Sequence, residues 1–468
     1  MKKDNSISFA SRAIHAFGLI LAINVLAFGP VAAQQDTLRM SWPEFMDRGL
    51  QNAAQLDMQQ TEIRMAQNQV DKARNKKWFP QIDLRTNHGL VPGVVSDSVR
   101  SKQYLDPDLG NDWSDWGIFT EIRISALQPI YTWGALDNAI SAAEKGVEAR
   151  RHQYESKEKD WELRLYKLYH SHILASEMRR IVDDAENTID KAEKKIKEME
   201  ESGDSDLDYS EVYKFEIYKT KFNSKATEAR ENSKFVERAW QQVVHSDTST
   251  RVLPTQKSLQ RVRNEIRAIS YYQQRAYEQR NDIEALDAAE QASKMGYEAQ
   301  KAQRWPMVYL GLGGEFVNRP RPASDQPLFG DRFTYANVIY SFGIRQNLDF
   351  SSIKNSVDQS YHQYQKAQYS KDAAMQGIRL QINEQYKKVQ TRLSQMENSQ
   401  KALQKSKEWV RQEELDYDLG IGEMKDLIEA VRTRLETEAE HLENIYKFNV
   451  ALAELYRKAG ISLNKVQL

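Results

Sequence analysis

The chain has no cysteine among its 468 residues. That excludes disulfides, thiolate metal sites, cysteine nucleophiles and the acylated N-terminal cysteine of a lipoprotein. Proline is scarce, with 11 in all, and none falls between Pro129 and Pro254 or after Pro327. A proline inside a helix costs about 3 kcal/mol, so such spans permit very long helices. Charge of one sign is not in excess: 66 basic residues face 67 acidic ones. A basic surface for nucleic acid is thereby excluded. Mean hydropathy is -0.72, and the single long apolar run covers residues 16–28. A helical membrane protein with several spans is excluded, because each span needs about 20 apolar residues.

What is present begins with that run. Lys2, Lys3 and Arg12 precede it, and Val31-Ala32-Ala33 follows it. This is the layout of a secretory signal peptide, with residues 1–33 removed and Gln34 first in the mature chain. The mature chain would carry 63 basic and 66 acidic residues, since Lys2, Lys3, Arg12 and Asp4 leave with the peptide. Export without disulfides fits a bacterial envelope.

The rest of the chain repeats one plan, over residues 34–255 and again over 256–468. Each half reads helix, lone strand, loop, lone strand, one very long helix, tight turn, returning helix. Ser41-Trp42-Pro43-Glu44 opens the first helix with a cap, an N-terminal proline and an acidic first turn. Trp78-Phe79-Pro80 ends it, and Arg304-Trp305-Pro306 ends its counterpart. Strands are expected at about 79–90, 116–130, 306–317 and 333–346. In the first, Ile82, Leu84, Thr86, His88 and Leu90 alternate with Asp83, Arg85, Asn87 and Gly89. In the second, Ile118, Thr120, Ile122, Ile124 and Ala126 alternate with Phe119, Glu121, Arg123 and Ser125. The third and fourth repeat the pattern around Leu310 and Leu312, and around Val338, Tyr340 and Phe342. Period two with one greasy face suits a barrel wall between lipid and a wet lumen. Four lone strands form no stable sheet without further copies. Residues 92–111 and 318–331, rich in Gly, Pro, Asp and Ser, read as exposed loops.

Aromatic residues gather at the strand ends: Trp78, Trp113, Trp116, Tyr131, Trp133, Trp305, Phe333 and Tyr335. Such rings favour the membrane–water interface, although aromatics also serve as ordinary core. Long helices are expected over 134–202 and 351–418, about 100 Å each at 1.5 Å per residue. Residues 245–255 read as a short irregular piece between the halves.

Catalytic constellations are absent from the pattern, so neither an enzyme nor a bound cofactor is expected. His170 and His172 are two apart on a helix and point in different directions. Asp204, Asp206 and Asp208 begin like a calcium loop, but Tyr209 stands where glycine is required and Phe215 where a carboxylate is required. The glycines 311, 313 and 314 lie in a strand pattern with no helix after them, which argues against a phosphate loop. No metal site emerges. The two tips carry more. Gly203, with Asp204, Asp206 and Asp208, sits at the first. Leu419, Gly420, Ile421 and Gly422 sit at the second, among Glu413, Glu414, Asp416, Asp418 and Glu423. Copied around a tube mouth, these carboxylates would form a negative ring favouring cations. The other reading is plain solubility at an exposed helix end.

The chain resembles the TolC-like outer membrane efflux protein family from Leu38 to Gly460. The resemblance rests on Trp78-Phe79-Pro80, on Leu127-Gln128-Pro129-Ile130-Tyr131-Thr132-Trp133-Gly134, on Tyr417-Asp418-Leu419-Gly420-Ile421-Gly422, and on Asp426-Leu427-Ile428-Glu429-Ala430. It implies a mainly α protein with a small transmembrane β part. Long antiparallel, coiled-coil-like helices would form an α-barrel, and four strands per chain would complete a 12-stranded β-barrel in a homotrimer. It also implies an exit duct in the outer membrane, reaching into the periplasm and working with a periplasmic adaptor (membrane fusion) protein and an inner-membrane pump. The cargo would be small molecules or polypeptides. Leu419, Gly420, Ile421 and Gly422 match the adaptor-docking turn, with Gly203 in the corresponding place of the first repeat, and Gly420 and Gly422 would act as hinges. The first tip is more acidic and less apolar than the usual turn. The rival class is a structural coiled-coil envelope protein or adhesin without a conduit, which leaves the four amphipathic strands unexplained.

Overall fold

A computed structural model describes residues 37–96, 109–202, 209–245, 250–319, 334–419 and 421–463. The expected signal peptide lies outside the described residues, as do Gly203, Asp204, Asp206, Asp208, Phe333 and Gly420. Two sets of seven elements follow one another in the same order. The first is β1 (Thr37–Met40), α1 (Trp42–Gln51), α2 (Ala54–Trp78), β2 (Gln81–Ser96), β3 (Leu109–Tyr131), α3 (Ala135–Ser202) and α4 (Tyr209–Val244). The second is β4 (Arg251–Pro254), α5 (Ile269–Gln279), α6 (Asn281–Ala302), β5 (Met307–Asn318), β6 (Thr334–Arg345), α7 (Phe350–Asp418) and α8 (Met424–Lys458). Among the described residues no helix is long and apolar enough to cross a membrane.

Strand order and helix order coincide. The large sheet runs β2-β3-β5-β6, all antiparallel. On the strand side of the molecule the helices neighbour one another as α2, α3, α6, α7, each joined directly to the strand in the same place. Further along, α4 packs on α3, α3 on α8 and α8 on α7. Outside the middle of the molecule the wall is therefore one layer thick. Among the described residues, β2 and β6 each carry one edge that no strand pairs.

Two sequence expectations change here. Residues 245–255 were expected to be irregular, yet β4 lies within them and pairs in parallel with β1, Leu38 opposite Val252. Four residues are too few for a periodic signal, and the partner is more than 200 positions away; Val252 is fully buried by the pairing. The loop expected over 92–111 is shorter. The ladder continues from Gly93 opposite Asp112 to Ser96 opposite Leu109, because the break at Pro92/Gly93 is a bulge and not an end. Pro129 also sits at a register shift, where a missing N–H does no harm.

The core lies where β1, β4, α1 and α5 wrap the middle of the long helices. Phe45 stacks on Trp240 at 4.1 Å between ring centroids, and Tyr169 and His172 flank the same indole at 5.4 and 4.7 Å. The indole N–H donates to the Leu168 carbonyl at 3.1 Å. Trp42, Tyr166, Ile173, Phe448 and Leu452 complete the cluster. Buried Asn449 ties the strandless segment before α5 to α8: its amide donates to the Gln260 carbonyl at 2.8 Å, and the Val262 N–H donates to its Oδ1 at 3.1 Å. Glu454 of α8 accepts from Lys167 of α3 at 2.6 Å and from Lys388 of α7 at 2.8 Å. Burial alone would raise its pKa; those two ammonium groups outweigh it and hold the carboxyl down at about 2.

The first helix of each copy is broken and not continuous. α1 stops at Asn52, whose amide donates to the Val243 carbonyl at 3.0 Å. α5 and α6 are divided by extended Arg280, which grips Asp282 at 2.6 Å and reaches the Lys458 carbonyl at 3.5 Å. At α1 the expected cap forms: the Glu44 carboxylate accepts from the Ser41 N–H and hydroxyl, both at 2.8 Å.

Candidate functional site

The register of the four strands decides which side chains share a face. Leu84 lies opposite Ile124, Ile122 opposite Phe316, Leu312 opposite Tyr340 and Leu310 opposite Phe342. Direct partners in an antiparallel pair point the same way, so the apolar sets of all four strands fall on one side of one sheet. That side is bare in the chain: Ile82, Leu84, Leu90, Ile118, Tyr340 and Phe342 are each at least 64% exposed. Contiguous apolar area of this kind marks a membrane or protein contact. Polar groups interrupt it, among them Thr86 opposite Ile122, and His88 and Thr120, which bond each other at 3.2 Å.

The opposite face is polar and internally paired. Arg123 bridges Glu121 at 2.6 Å and Glu315 of the second copy at 2.7 Å. Asn87 donates to Glu121 at 3.1 Å. Glycines on this face admit a large ring: Tyr309 lies over Gly343, where an added Cβ would meet the ring at 2.7 Å. The strand glycines 311, 313 and 314 lie in β5, with no helix behind them.

The aromatics expected at strand ends fall into two groups. At the helical end Tyr131 and Trp133 approach at 5.0 Å, and Trp133 and Trp305 at 5.4 Å. The Trp133 N–H donates to the Pro306 carbonyl at 2.8 Å, joining the two copies. Trp133 and Gly134 both adopt positive φ, 54° and 84°, which turns the chain sharply from β3 into α3. Trp78 stands at the same end, its ring 5.1 Å from the Lys77 ammonium. At the other end of β3, Trp113 and Trp116 meet at 6.0 Å, and Tyr335 lies one residue into β6. Two glutamines prove to be joints, of which only Gln128 stood in a quoted motif. The Gln128 amide donates to the Lys77 carbonyl at 2.7 Å, and Gln346 donates to the Arg304 carbonyl at 3.4 Å. Gln128 closes the last turn of α2, and Gln346 binds the chain two residues past the end of α6. A glutamine at the same place in both copies was the available signal.

At the second tip the chain turns tightly. The Ile421 and Gly422 N–H groups both donate to the Asp416 carbonyl, at 3.0 and 2.9 Å. A Cβ on Gly422 would meet the Tyr417 nitrogen at 2.8 Å and the Asp416 carbon at 2.9 Å. Glycine is required there by close backbone approach. Leu419 and Ile421 project outward, 65% and 76% exposed. Of the acidic residues expected to line a mouth, Asp416 accepts from Gln412 at 3.0 Å and Glu413 from Trp409 at 2.9 Å. Glu423 faces Lys425 at 3.2 Å and stands at the residue before α8, while Glu414 and Asp418 are exposed. The helices that lead to the two tips meet: the Lys195 ammonium of α3 donates to the Tyr417 hydroxyl of α7 and sits 4.6 Å from that ring.

The family model for outer membrane efflux proteins matches residues 46–198 and 272–460 of this chain. No match is found among curated proteins. Among solved structures the fold is similar to the open state of the MtrE outer membrane channel of Neisseria gonorrhoeae. The TM-score is 0.71 at 15% identity, covering 90% of this chain and 89% of that one. The CmeC outer membrane channel of Campylobacter jejuni gives 0.66 at 14% identity, covering 90% and 85%. The outer membrane protein VceC of Vibrio cholerae gives 0.65 at 15% identity, covering 90% and 96%.

Proposed function

Because this chain belongs to the outer membrane efflux protein family, we propose that it acts as the outer membrane exit duct of a tripartite export system. Proteins of this family are trimeric and work with an adaptor and an inner-membrane pump. The observation that carries the reading is the single-layer wall. Its sheet has one bare apolar face and two unpaired edges, and lipid tolerates neither an open edge nor a buried polar one. Rotation of a second copy brings its β2 edge onto the first copy's β6 edge, a head-to-tail contact that closes only as a ring. Three copies of four strands give 12. The apolar face then meets lipid, the Arg123–Glu121–Glu315 face lines the lumen, and the two aromatic groups lie at the two membrane interfaces.

The helices extend the duct into the periplasm. Leu419 and Ile421, exposed at a turn fixed by Gly422, offer the adaptor an apolar foothold, with Gly203 and Gly420 at the remaining turn positions. The carboxylates at 204, 206, 208, 413, 414, 416, 418 and 423 surround the mouth and favour cationic groups near it. Small molecules or polypeptides would pass through without chemistry, driven by the pump.

Single-particle imaging of the protein extracted from outer membranes tests this. A threefold tube with a short barrel at one end is expected. A monomer, or a rod without a lumen, would overturn the duct and favour a structural envelope protein.

A further inference from the structure

We propose that His152, Glu155 and Glu284 form a binding site for a divalent transition-metal ion of the zinc class, riveting the first copy to the second. His152 and Glu155 are three apart on α3 and share a face. Glu284 stands in the first turn of α6. One oxygen from each carboxylate approaches the same nitrogen, His152 Nδ1, at 3.2 Å. A neutral imidazole carries one N–H. If it is on Nδ1 it serves one of the two oxygens, and the other is left against the same nitrogen.

The neighbouring acids are satisfied differently. Asp282 takes Arg280 at 2.6 Å, Asp160 takes Arg457 at 2.8 Å and Glu290 takes Lys371 at 3.0 Å. Among the described residues, neither Glu155 nor Glu284 has a lysine or arginine nitrogen within 4.0 Å; His152 is the one basic side chain that each meets. Two carboxylates thus share one imidazole at a seam where the neighbouring acids each take a lysine or arginine.

The spacing suits an ion. Zinc bonds of 2.0–2.1 Å in a tetrahedron place ligand atoms about 3.3 Å apart. Both nitrogen–oxygen separations match that edge, and all three donor atoms lie within 4.8 Å of one another. The remaining edge closes by rotation of side chains that are 46% and 49% exposed. One imidazole and two carboxylates with an open position form a donor set that zinc accepts and magnesium does not prefer. Asn281 donates at 2.5 Å to the same Glu155 Oε2 that faces His152 Nδ1, which fixes the direction of that oxygen. Partners of that kind tune affinity at metal sites.

The test uses the full chain, untagged, stripped of metal and held in detergent as the assembled protein. Titration with Zn²⁺ should show one saturable equivalent per chain and a raised unfolding temperature, whereas Mg²⁺ should show neither. Co²⁺ in place of Zn²⁺ should give the intense visible bands of four-coordinate cobalt. Glu284→Gln is nearly isosteric and exposed, so the fold should persist, which circular dichroism checks. It and His152→Ala should each abolish the saturable equivalent. Asn281→Ala should weaken it about 10- to 100-fold. Absence of a saturable equivalent in the unaltered protein would overturn the site. So would equal zinc binding by Glu284→Gln and His152→Ala, or a weak six-coordinate cobalt spectrum.

Discussion

Gly460→Ala should destabilise the protein through two separable effects. Gly460 follows the last turn of α8 with φ of 73°. Its N–H donates to the Arg457 carbonyl at 3.2 Å, and the Ile461 N–H donates to the Tyr456 carbonyl at 2.8 Å. This closes the helix end in the usual left-handed manner. A residue with a Cβ in that conformation costs about 1–2 kcal/mol. The second effect is contact. An added Cβ would stand 2.6 Å from the Gln279 oxygen, 2.8 Å from the Gln279 carbon and 3.2 Å from the Arg280 nitrogen. These are backbone atoms at the α5/α6 break, so relief requires a chain shift, at about 1–3 kcal/mol. The total is about 2–5 kcal/mol. Gly460→Asn relieves the first effect, because asparagine tolerates positive φ, but not the second. Loss of helical circular dichroism on heating in detergent, at one scan rate, should rank glycine above asparagine and asparagine above alanine. A fixed scan rate matters because membrane assemblies unfold irreversibly. Full stability in the asparagine variant would refute the contact argument, and full stability in both would refute the whole account.

Trp240→Ala empties the fully buried centre of the core and leaves Phe45, Tyr169 and His172 without their shared partner. About 3–5 kcal/mol should be lost, read as a lower unfolding midpoint; a shift as small as that of an exposed substitution would contradict the packing. Burial holds the His170 imidazole down at about 4, against about 6.5 in an unfolded chain. The unfolded chain therefore takes the proton first. Stability is full above about pH 6.5 and falls by up to about 3 kcal/mol as pH drops towards 4. His172, lowered by burial as well, adds in the same sense. His170→Leu should flatten the curve in that window, and an unchanged slope would remove His170 as its source. In the sheet, Leu84→Lys should cost about 2–4 kcal/mol at a lipid face, while Asp83→Lys next to it should cost little. Outer-membrane assembly of each variant decides, and a worse result for Asp83→Lys would reverse the two faces.

Fold class was legible because its signals are local and long. Two proline-free spans allowed α3 and α7, and period-two alternation identified the sheet residues before any pairing was known. The register then put Leu84, Ile124, Phe316 and Tyr340 on one side. What was not legible depends on distant partners. β1 and β4 are four residues each and exist by pairing with each other. The helix breaks at Asn52 and Arg280 answer contacts with Val243 and Lys458, not a local breaker. Pro92 and Gly93 looked like a strand end, yet a bulge absorbs them and pairing resumes. The same distinction applies to the sites. The tight turn at Gly422 follows from neighbouring residues and could be read from the motif. The convergence of Glu284 on His152 joins residues of different copies, and no spacing rule connects them.

Duplication and closure are linked by the same physics. A wall one layer thick buries little within its own chain, which is why many side chains on the strands and long helices remain exposed. The internal contacts that do form are concentrated at the middle, where α1, α5 and the β1–β4 pair bind the copies together. Further joints recur at intervals along the seam between the copies. Arg123 meets Glu315, the Trp133 indole meets the Pro306 carbonyl, Arg457 meets Asp160, and Lys195 meets Tyr417. They span the wall from the sheet towards the tips. A seam fixed at so many points makes the two copies move as one plate. Conformational change in the assembled duct is then expected at the tip end of this seam, beyond the Lys195–Tyr417 joint, and least in the sheet, where ladder hydrogen bonds reinforce the ion pairs.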